Sequence, residues 1–235
     1  MKKIIICICT LALLLSLAAC GTGEKTLSEN TGNDSTSQTN SSKIDDKNED
    51  SAFDYTGNYI DDHLKGDYSI TYKMISSEAG EDDTSYSIKM MRTSEGYYAM
   101  LGEDTEMLYI KNGDKYDMYM GDSESGFEPY AGVALSEDDV KAQTQAFLGY
   151  MSAYSQFGDS LKNSGNVTIA GRSCIKYNYD YTALGASAKA EYCIDKETGV
   201  CMKYFVEGNS GGESGSYQFE CTEFKTSGVA LPKHS

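Results

Sequence analysis

Residues 105–122 read TEMLYIKNGDKYDMYMGD, two alternating runs joined through Asn-Gly. Alternation with period two marks strands with one covered face, and Asn112-Gly113 is a strong two-residue hairpin signal. With a type I′ turn centred there, Lys111 faces Asp114, Tyr109 faces Tyr116 and Met107 faces Met118. One face then carries Met107, Tyr109, Tyr116, Met118 and Met120. The other mixes Leu108 and Ile110 with Lys115 and Asp117.

The same split recurs upstream. Tyr68, Ile70, Tyr72 and Met74 alternate with Ser69, Thr71 and Lys73; Tyr86, Ile88 and Met90 alternate with Ser87 and Lys89; and Tyr97 to Leu101 follows a Ser94-Glu95-Gly96 turn. Downstream, Val167–Ile169, Cys174–Tyr181, Lys189–Asp195, Val200–Val206 and Tyr217–Phe224 are separated by Gly-rich or charged turns. The pattern predicts an antiparallel meander. One segment differs: Ser136 with Asp139 forms a capping-box-like pair, and acids at 137–139 suit the positive end of a helix dipole. Val140, Phe147, Leu148, Met151, Tyr154 and Leu161 then recur at helical spacing to about Lys162. A lone amphipathic helix in a long meander packs its stripe on the sheet's apolar face.

Before this region the chain is of another kind. Met1-Lys2-Lys3 is a short positive segment, Ile4–Leu17 is apolar but too short to span a bilayer, and Leu17-Ala18-Ala19-Cys20 follows. That stretch resembles the bacterial lipobox, which implies lipid attachment at Cys20 and cleavage just before it. Gly21 to about Ser51 holds almost nothing apolar and reads as a flexible tether. The organisation expected is therefore a signal peptide over 1–19, a lipidated Cys20 with its tether over 20–51, and one β domain over 52–235. Two or more acyl chains anchor stably, since each buried methylene adds ~0.8 kcal/mol.

The chain's charge of −16 becomes −18 once Lys2 and Lys3 leave with the signal. Such an acidic chain argues against nucleic acid as a partner and against lying flat on anionic lipid. The acid runs Asp45–Asp50, Glu81-Asp82-Asp83 and Glu137-Asp138-Asp139 read as solvated charge, without the spacing a calcium loop requires.

Signals for chemistry are few. Gly158-Asp159-Ser160-Leu161 spells the opening block of a serine esterase family, but it falls near a predicted helix end, and neither His63 nor His234 stands where a general base is needed. Two histidines and no C-x-x-C leave little for zinc. Met118-Tyr119-Met120 raises copper(I), for which thioethers are soft ligands, although core packing accounts for those methionines. No cofactor, metal or catalytic residue is implied, and a non-enzymatic role is expected. Of seven cysteines, Cys174, Cys193, Cys201 and Cys221 lie in the exported domain, and an even number there suggests two disulfides. Placed on successive strands, they favour Cys174–Cys193 with Cys201–Cys221, and exclude Cys174–Cys221 in an open sheet. Alternation puts Cys221 on a different face from the other three, which requires a bulge; otherwise Cys193–Cys201 is the pair. Four buried thiols are the remaining reading.

Val167-Thr168-Ile169-Ala170-Gly171, Cys174-Ile175-Lys176-Tyr177, Tyr192-Cys193-Ile194-Asp195-Lys196-Glu197-Thr198-Gly199, Tyr217-Gln218-Phe219 and Leu231-Pro232 resemble the C-terminal half of LolA-like lipoproteins. The resemblance implies a mainly β, α+β fold: a strongly curved antiparallel sheet, or half-open barrel, with the helix packed on its concave face. It also implies an apolar cavity that holds acyl chains or lipoproteins. The chain departs from the carriers of that family in its anchor, its lack of Trp and its richness in Tyr and Met. A fixed lipoprotein on the outer face of the cell membrane, of Gram-positive type, is expected. Its ligand-lining residues would be Tyr68, Tyr72, Met74, Ile88, Met90, Met107, Tyr109, Tyr116 and Met118, receiving a lipid or other apolar guest; the alternative is a filled core and an envelope protein as partner. Replacing Cys20→Ser should move the protein from the membrane to the soluble fraction and abolish incorporation of labelled palmitate, read by fractionation and autoradiography.

Overall fold

The structure is a computed structural model that describes residues 60–102, 105–145, 160–183, 186–210 and 213–234. They belong to a compact unit running Tyr55–Ser235. The signal peptide, Cys20 and the tether lie outside the described residues.

A short helix α1 (Ile60–His63) leads into β1 (Tyr68–Glu78), β2 (Thr84–Thr93), β3 (Gly96–Leu101), β4 (Thr105–Asn112), β5 (Lys115–Asp122) and β6 (Gly126–Leu135). Helix α2 (Glu137–Gln145) follows, then β7 (Lys162–Ile169), β8 (Arg172–Ala183), β9 (Ala186–Asp195), β10 (Cys201–Ser210) and β11 (Glu213–Lys225). All eleven strands form one antiparallel sheet in the order β6-β5-β4-β3-β2-β1-β11-β10-β9-β8-β7. Two meanders of hairpins are thus joined edge to edge through β1 and β11, where Tyr72 faces Cys221 and Met74 faces Phe219.

The sheet is strongly curved. Flat, β7 and β11 would stand ~19 Å apart across four strand spacings, yet they approach each other closely. Arg172 on β8 reaches Phe224 on β11, its guanidinium 5.2 Å from the ring centroid. Along β1 the even-numbered residues Tyr68, Ile70, Tyr72 and Met74 are buried on the concave face. There Val140 of α2 packs into a cluster with Tyr97, Tyr109 and Tyr116. The α2 start is the predicted capping box: Asp139 N donates to Ser136 Oγ at 3.2 Å, and Ser136 N donates to Asp139 Oδ2 at 3.0 Å.

Several expectations are corrected. The hairpin turn sits one residue later than predicted. Asn112 pairs with Lys115, so Tyr109 faces Met118 and Met107 faces Met120. Gly113 has φ +66° while Asp114 does not enter the left-handed region, the pattern of a type II′ turn with glycine first. The shift is two residues in pairing, so each side chain keeps its predicted face. The helix does not continue to Lys162, which opens β7; Phe147, Leu148, Met151 and Tyr154 lie outside the described residues, and Leu161 precedes the strand. Strand β6 escaped the sequence reading because Pro129 and Gly132 interrupt its alternation. Proline is tolerated there since β6 is an edge strand, and the pairing jumps from Asp117–Ala134 to Tyr119–Pro129 across a bulge.

The outer face is not uniformly wet either. Met91, Tyr98, Leu108 and Phe127 form a second buried cluster, covered by Val229 and Leu231 of the C-terminal segment. His234 forms an isolated bridge with Phe127 and packs its ring 5.2 Å from that of Tyr119. Strand β3 is therefore buried on both sides, which explains the adjacent buried pair Tyr97-Tyr98.

Gly96→Ala would place a Cβ 1.9 Å from the Tyr109 carbonyl oxygen at a φ of +157°. We expect a loss of about 2–3 kcal/mol and a melting temperature lower by roughly 5–10 °C in thermal denaturation. Ala170, the first residue of the Ala170-Gly171 turn between β7 and β8, has φ +48°. Asparagine tolerates that conformation better than alanine, so Ala170→Asn should stabilise the domain by about 0.5–1 kcal/mol in a denaturant titration.

Candidate functional site

Helix α1 is only four residues long, yet it directs Asp61 inward, leaving it 4% exposed. Two tyrosines of the concave face meet this carboxylate: Tyr68 OH donates to Oδ1 at 2.6 Å and Tyr97 OH to Oδ2 at 2.8 Å. Gln145 of α2 closes the group, its Oε1 accepting from Ile60 N at 2.8 Å and its Nε2 donating to the Tyr68 oxygen at 3.2 Å. The Tyr97 oxygen also lies 3.2 Å from Glu137 Oε1, and Glu137 pairs with Lys141 at 3.0 Å. Arg92 sits 5.9 Å over the Tyr97 ring and donates to Leu64 O at 3.2 Å. Both helices are thereby fastened to the sheet through polar contacts around one buried carboxylate.

This arrangement holds protons in place. Burial, then the Asp61 charge, pushes the phenols of Tyr68 and Tyr97 far above the ordinary tyrosine range. Burial raises Tyr109 to about 12, and its hydroxyl donates to Gln143 Oε1 at 2.9 Å. The hydrogen bond from Lys141, reinforced by its charge, keeps Glu137 below the usual carboxylate range.

The predicted lining residues come together on the concave face. Tyr68, Tyr72, Met74, Ile88, Met90, Tyr109 and Tyr116 are buried, and Met107 and Met118 are half-buried. Tyr72 OH donates to Cys201 O at 2.9 Å, and Met74 Sδ accepts from Tyr217 OH at 2.7 Å. Sequence reasoning missed Asp61 and the role of Tyr97. The only signal for Asp61 was an acid pair beside Ile60, indistinguishable from solvated charge.

Open space lies elsewhere. A groove of about 730 Å³ runs along the other end of the second meander, lined among others by Ser77, Tyr181, Ala188, Asn209, Gly215 and Ser216. Small residues make it: Ala188 faces Tyr181 across the β8–β9 pair, and Gly208 faces Gly215 across β10–β11. The same face continues into Ala190 and Tyr179, then Tyr192 and Tyr177, and becomes buried. On this face Glu78 stands at the open end, opposite Gly215, and the tyrosines lie further in.

The four domain cysteines are free and buried. The expected disulfide pairs do not form, and register gives the reason. Cys174 faces Asp195 while Cys193 faces Lys176, a diagonal relation ~7–8 Å across, beyond disulfide reach. Lys203 opposite Glu220 leaves Cys201 and Cys221 one residue out of step. Curling of the sheet brings Cys221 within the electrostatic reach of Cys174, although no bridge joins them. Burial raises the Cys174 thiol to about 11, and those of Cys193 and Cys221 to about 12. Of the esterase-like block, Gly158 and Asp159 lie outside the described residues, and Ser160 is exposed two residues before β7. Among the described residues no group of three or more His, Cys, Asp or Glu is placed to hold a metal, and no helix is long and apolar enough to cross a membrane.

No family model matches the chain, and no curated protein matches it. Among solved structures, MucB in its complex with MucA(peri) is 16% identical, with 76% of this chain and 56% of that one covered at a TM-score of 0.36. This chain thus spans little more than half of that neighbour. The Mycobacterium tuberculosis lipoprotein LppX is 13% identical, with 72% and 92% covered and a TM-score of 0.36. A LolA superfamily protein from Nitrosomonas europaea is 8% identical, with 74% and 92% covered and a TM-score of 0.26. What defines the fold class here is the geometry itself: one open, curved antiparallel sheet with a helix on its concave face.

Asp61→Ala would leave the Tyr68 hydroxyl without its acceptor and Tyr97 with only the longer contact to Glu137, and should lower stability by about 2–4 kcal/mol in denaturant unfolding; Tyr68→Phe should lose about 1–2 kcal/mol. Alkaline pH tests the buried acids together. Their unfolded values are 9.0 for cysteine and 10.0 for tyrosine, and the folded values of Cys174, Cys193, Cys221 and Tyr109 are higher. The unfolded chain therefore releases these protons first. Stability should change little between about pH 7 and 8.5 and fall as pH rises from 9 toward 12, by ~1.4 kcal/mol per pH unit for each group in its window. Urea titrations across that range would read the slope.

Proposed function

We propose that the chain is an extracytoplasmic lipoprotein, anchored through lipid on Cys20 at the outer face of a Gram-positive cell membrane. Its curved β domain binds an apolar or amphipathic ligand, a lipid or acyl chain, on the concave side. The role is binding, not catalysis. The observation that carries this reading is the groove of about 730 Å³, where the polar end at Glu78 shares one face of the sheet with Gly215, Gly208, Ala188 and Tyr181. That volume is within the range of ~300–1,000 Å³ found for ligand pockets. A polar entrance followed by an apolar wall matches a guest with a polar end and a hydrocarbon body. Tyrosine offers apolar area with one hydrogen-bonding end, which suits the same guest.

A second reading has its own observation. The hydroxyls of Tyr68, Tyr97 and Tyr109 are taken by Asp61 and Gln143, as in a completed core. A filled domain would act as an interaction or regulatory module displayed to another envelope protein.

Native mass spectrometry of the exported chain beside its denatured mass separates the two. Under the first reading an added mass matching a lipid accompanies the folded protein and is lost on denaturation. Ala188→Trp, which fills the groove, should remove that mass while leaving the fold intact. A bare mass that stays bare after incubation with membrane extract overturns the first reading and supports the second.

A further inference from the structure

The copper(I) signal in Met118-Tyr119-Met120 was set aside because core packing would account for the methionines. The structure leaves Met120 outside that account. Met120 is 44% exposed, and Met107 and Met118 are half-buried. All three lie on one face of the β4–β5 hairpin. Met107 stands directly opposite Met120, and Tyr109 directly opposite Met118. Three corners of a two-by-two block are thus thioethers, and the fourth is a phenol.

Directly opposed residues have Cβ atoms ~4.5–5.5 Å apart, and diagonal neighbours ~7–8 Å. Methionine is unbranched, with three rotatable side-chain bonds. Three such arms from these corners can bring their sulfurs to one point. Their surroundings favour this. Met107 and Met118 both pack against the Tyr97, Tyr109, Tyr116 and Val140 cluster, so one side of the block is apolar. The Met107 sulfur lies 3.3 Å from the Tyr109 hydroxyl oxygen, whose proton goes to Gln143. Glu128 faces Met120 from β6, and the chain as a whole is strongly acidic, both of which draw cations. Met120, the most exposed of the three, leaves the block open to solvent on its side.

We propose that Met107, Met118 and Met120 form a surface site for a soft monovalent metal ion, copper(I) or its redox-silent analogue silver(I). Soft thioethers select such ions over zinc, calcium or magnesium, which prefer nitrogen, thiolate or oxygen donors. Binding involves no proton, since a thioether has none to release. The site is distinct from the groove between β1, β8, β9, β10 and β11, and it does not depend on the ligand proposed there.

The competing donors are the four domain cysteines, and pH separates them. Thiolate binding must displace protons and weakens in acid, whereas thioether binding persists. The experiment is a silver(I) nitrate titration of the full chain, labelled with ¹³C at the methionine methyls, in chloride-free buffer at about pH 5. The chain has ten methionines. The methyl signals of Met107, Met118 and Met120 should shift together and saturate at one equivalent, with the others unmoved. Met120→Leu, a change at an exposed position that leaves the core intact, should weaken binding by at least about tenfold, equivalent to ~1.4 kcal/mol. The variant carrying Met107→Leu, Met118→Leu and Met120→Leu should abolish saturation. Unmoved signals for the three methionines overturn the proposal. So does undiminished silver binding in Met120→Leu, which would assign the metal to the thiols.

Discussion

Nearly every strand pair in this sheet joins neighbours in sequence; the exception is β1 with β11, whose partners are separated by roughly the length of the whole domain. Tyr72 meets Cys221 and Ser77 meets Ser216 across that seam. Without it the chain would be two meanders, each with an additional exposed edge. With it, the concave faces of both become one surface, and Met74 can accept a hydrogen bond from Tyr217. A pairing of such sequence separation must overcome the largest loop-closure entropy in the fold, so hairpin formation is expected to precede it. The register shift at Thr71/Tyr72 is placed at this seam, where an extra residue on β11 sharpens the local twist.

The curvature created on one side of the seam is secured by a clasp. Arg172 bonds Asp195 through Nε at 3.1 Å and Nη2 at 2.7 Å, and also reaches Glu197 at 2.9 Å. Asp195, almost fully buried, accepts from Thr198 N at 2.9 Å, and its own amide donates to Val200 O at 2.9 Å. Arg172 from β8 thus gives the buried aspartate its cationic partner, and the Asp-Lys-Glu-Thr-Gly turn adds the Thr198 amide and hydroxyl as donors, which a buried carboxylate requires. The same Arg172 lies over Phe224, so turn, strand and far edge meet at one guanidinium. This end of the domain also gathers the cysteines, whose burial makes them unreactive thiols rather than nucleophiles.

On the other side of the seam the architecture is layered. Helix α2 contributes a single buried apolar residue, Val140, and otherwise meets the sheet through Thr144, Gln143 and Gln145. The concave tyrosines answer with hydroxyls, and Asp61 receives two of them. A polar interface of this kind is strong only while every member is satisfied. The outer face is covered instead by the C-terminal segment, through apolar contacts at Val229 and Leu231. Space is left in the groove walled by Tyr181 and Ala188, while Met120 of β5 stands exposed.

Local chemistry was legible in the residues themselves. Period-two alternation named most strands, Asn112-Gly113 named the hairpin, and Ser136 with Asp139 named the start of α2, because each depends on a few neighbouring side chains and backbone angles. The inward set Tyr68, Tyr72, Met74, Ile88, Met90 and Tyr109 followed from alternation alone and survived a two-residue slip of register, since a slip of two preserves the face. What the tertiary structure decided was everything that depends on distant residues sharing space. Asp61 is an ordinary acid until Tyr68 and Tyr97 close over it, Met120 is a core residue by alternation until the fold leaves it 44% exposed, and Cys174 is remote from Cys221 until the sheet curls. Burial and partnership are properties of the whole fold, and no local pattern encodes them.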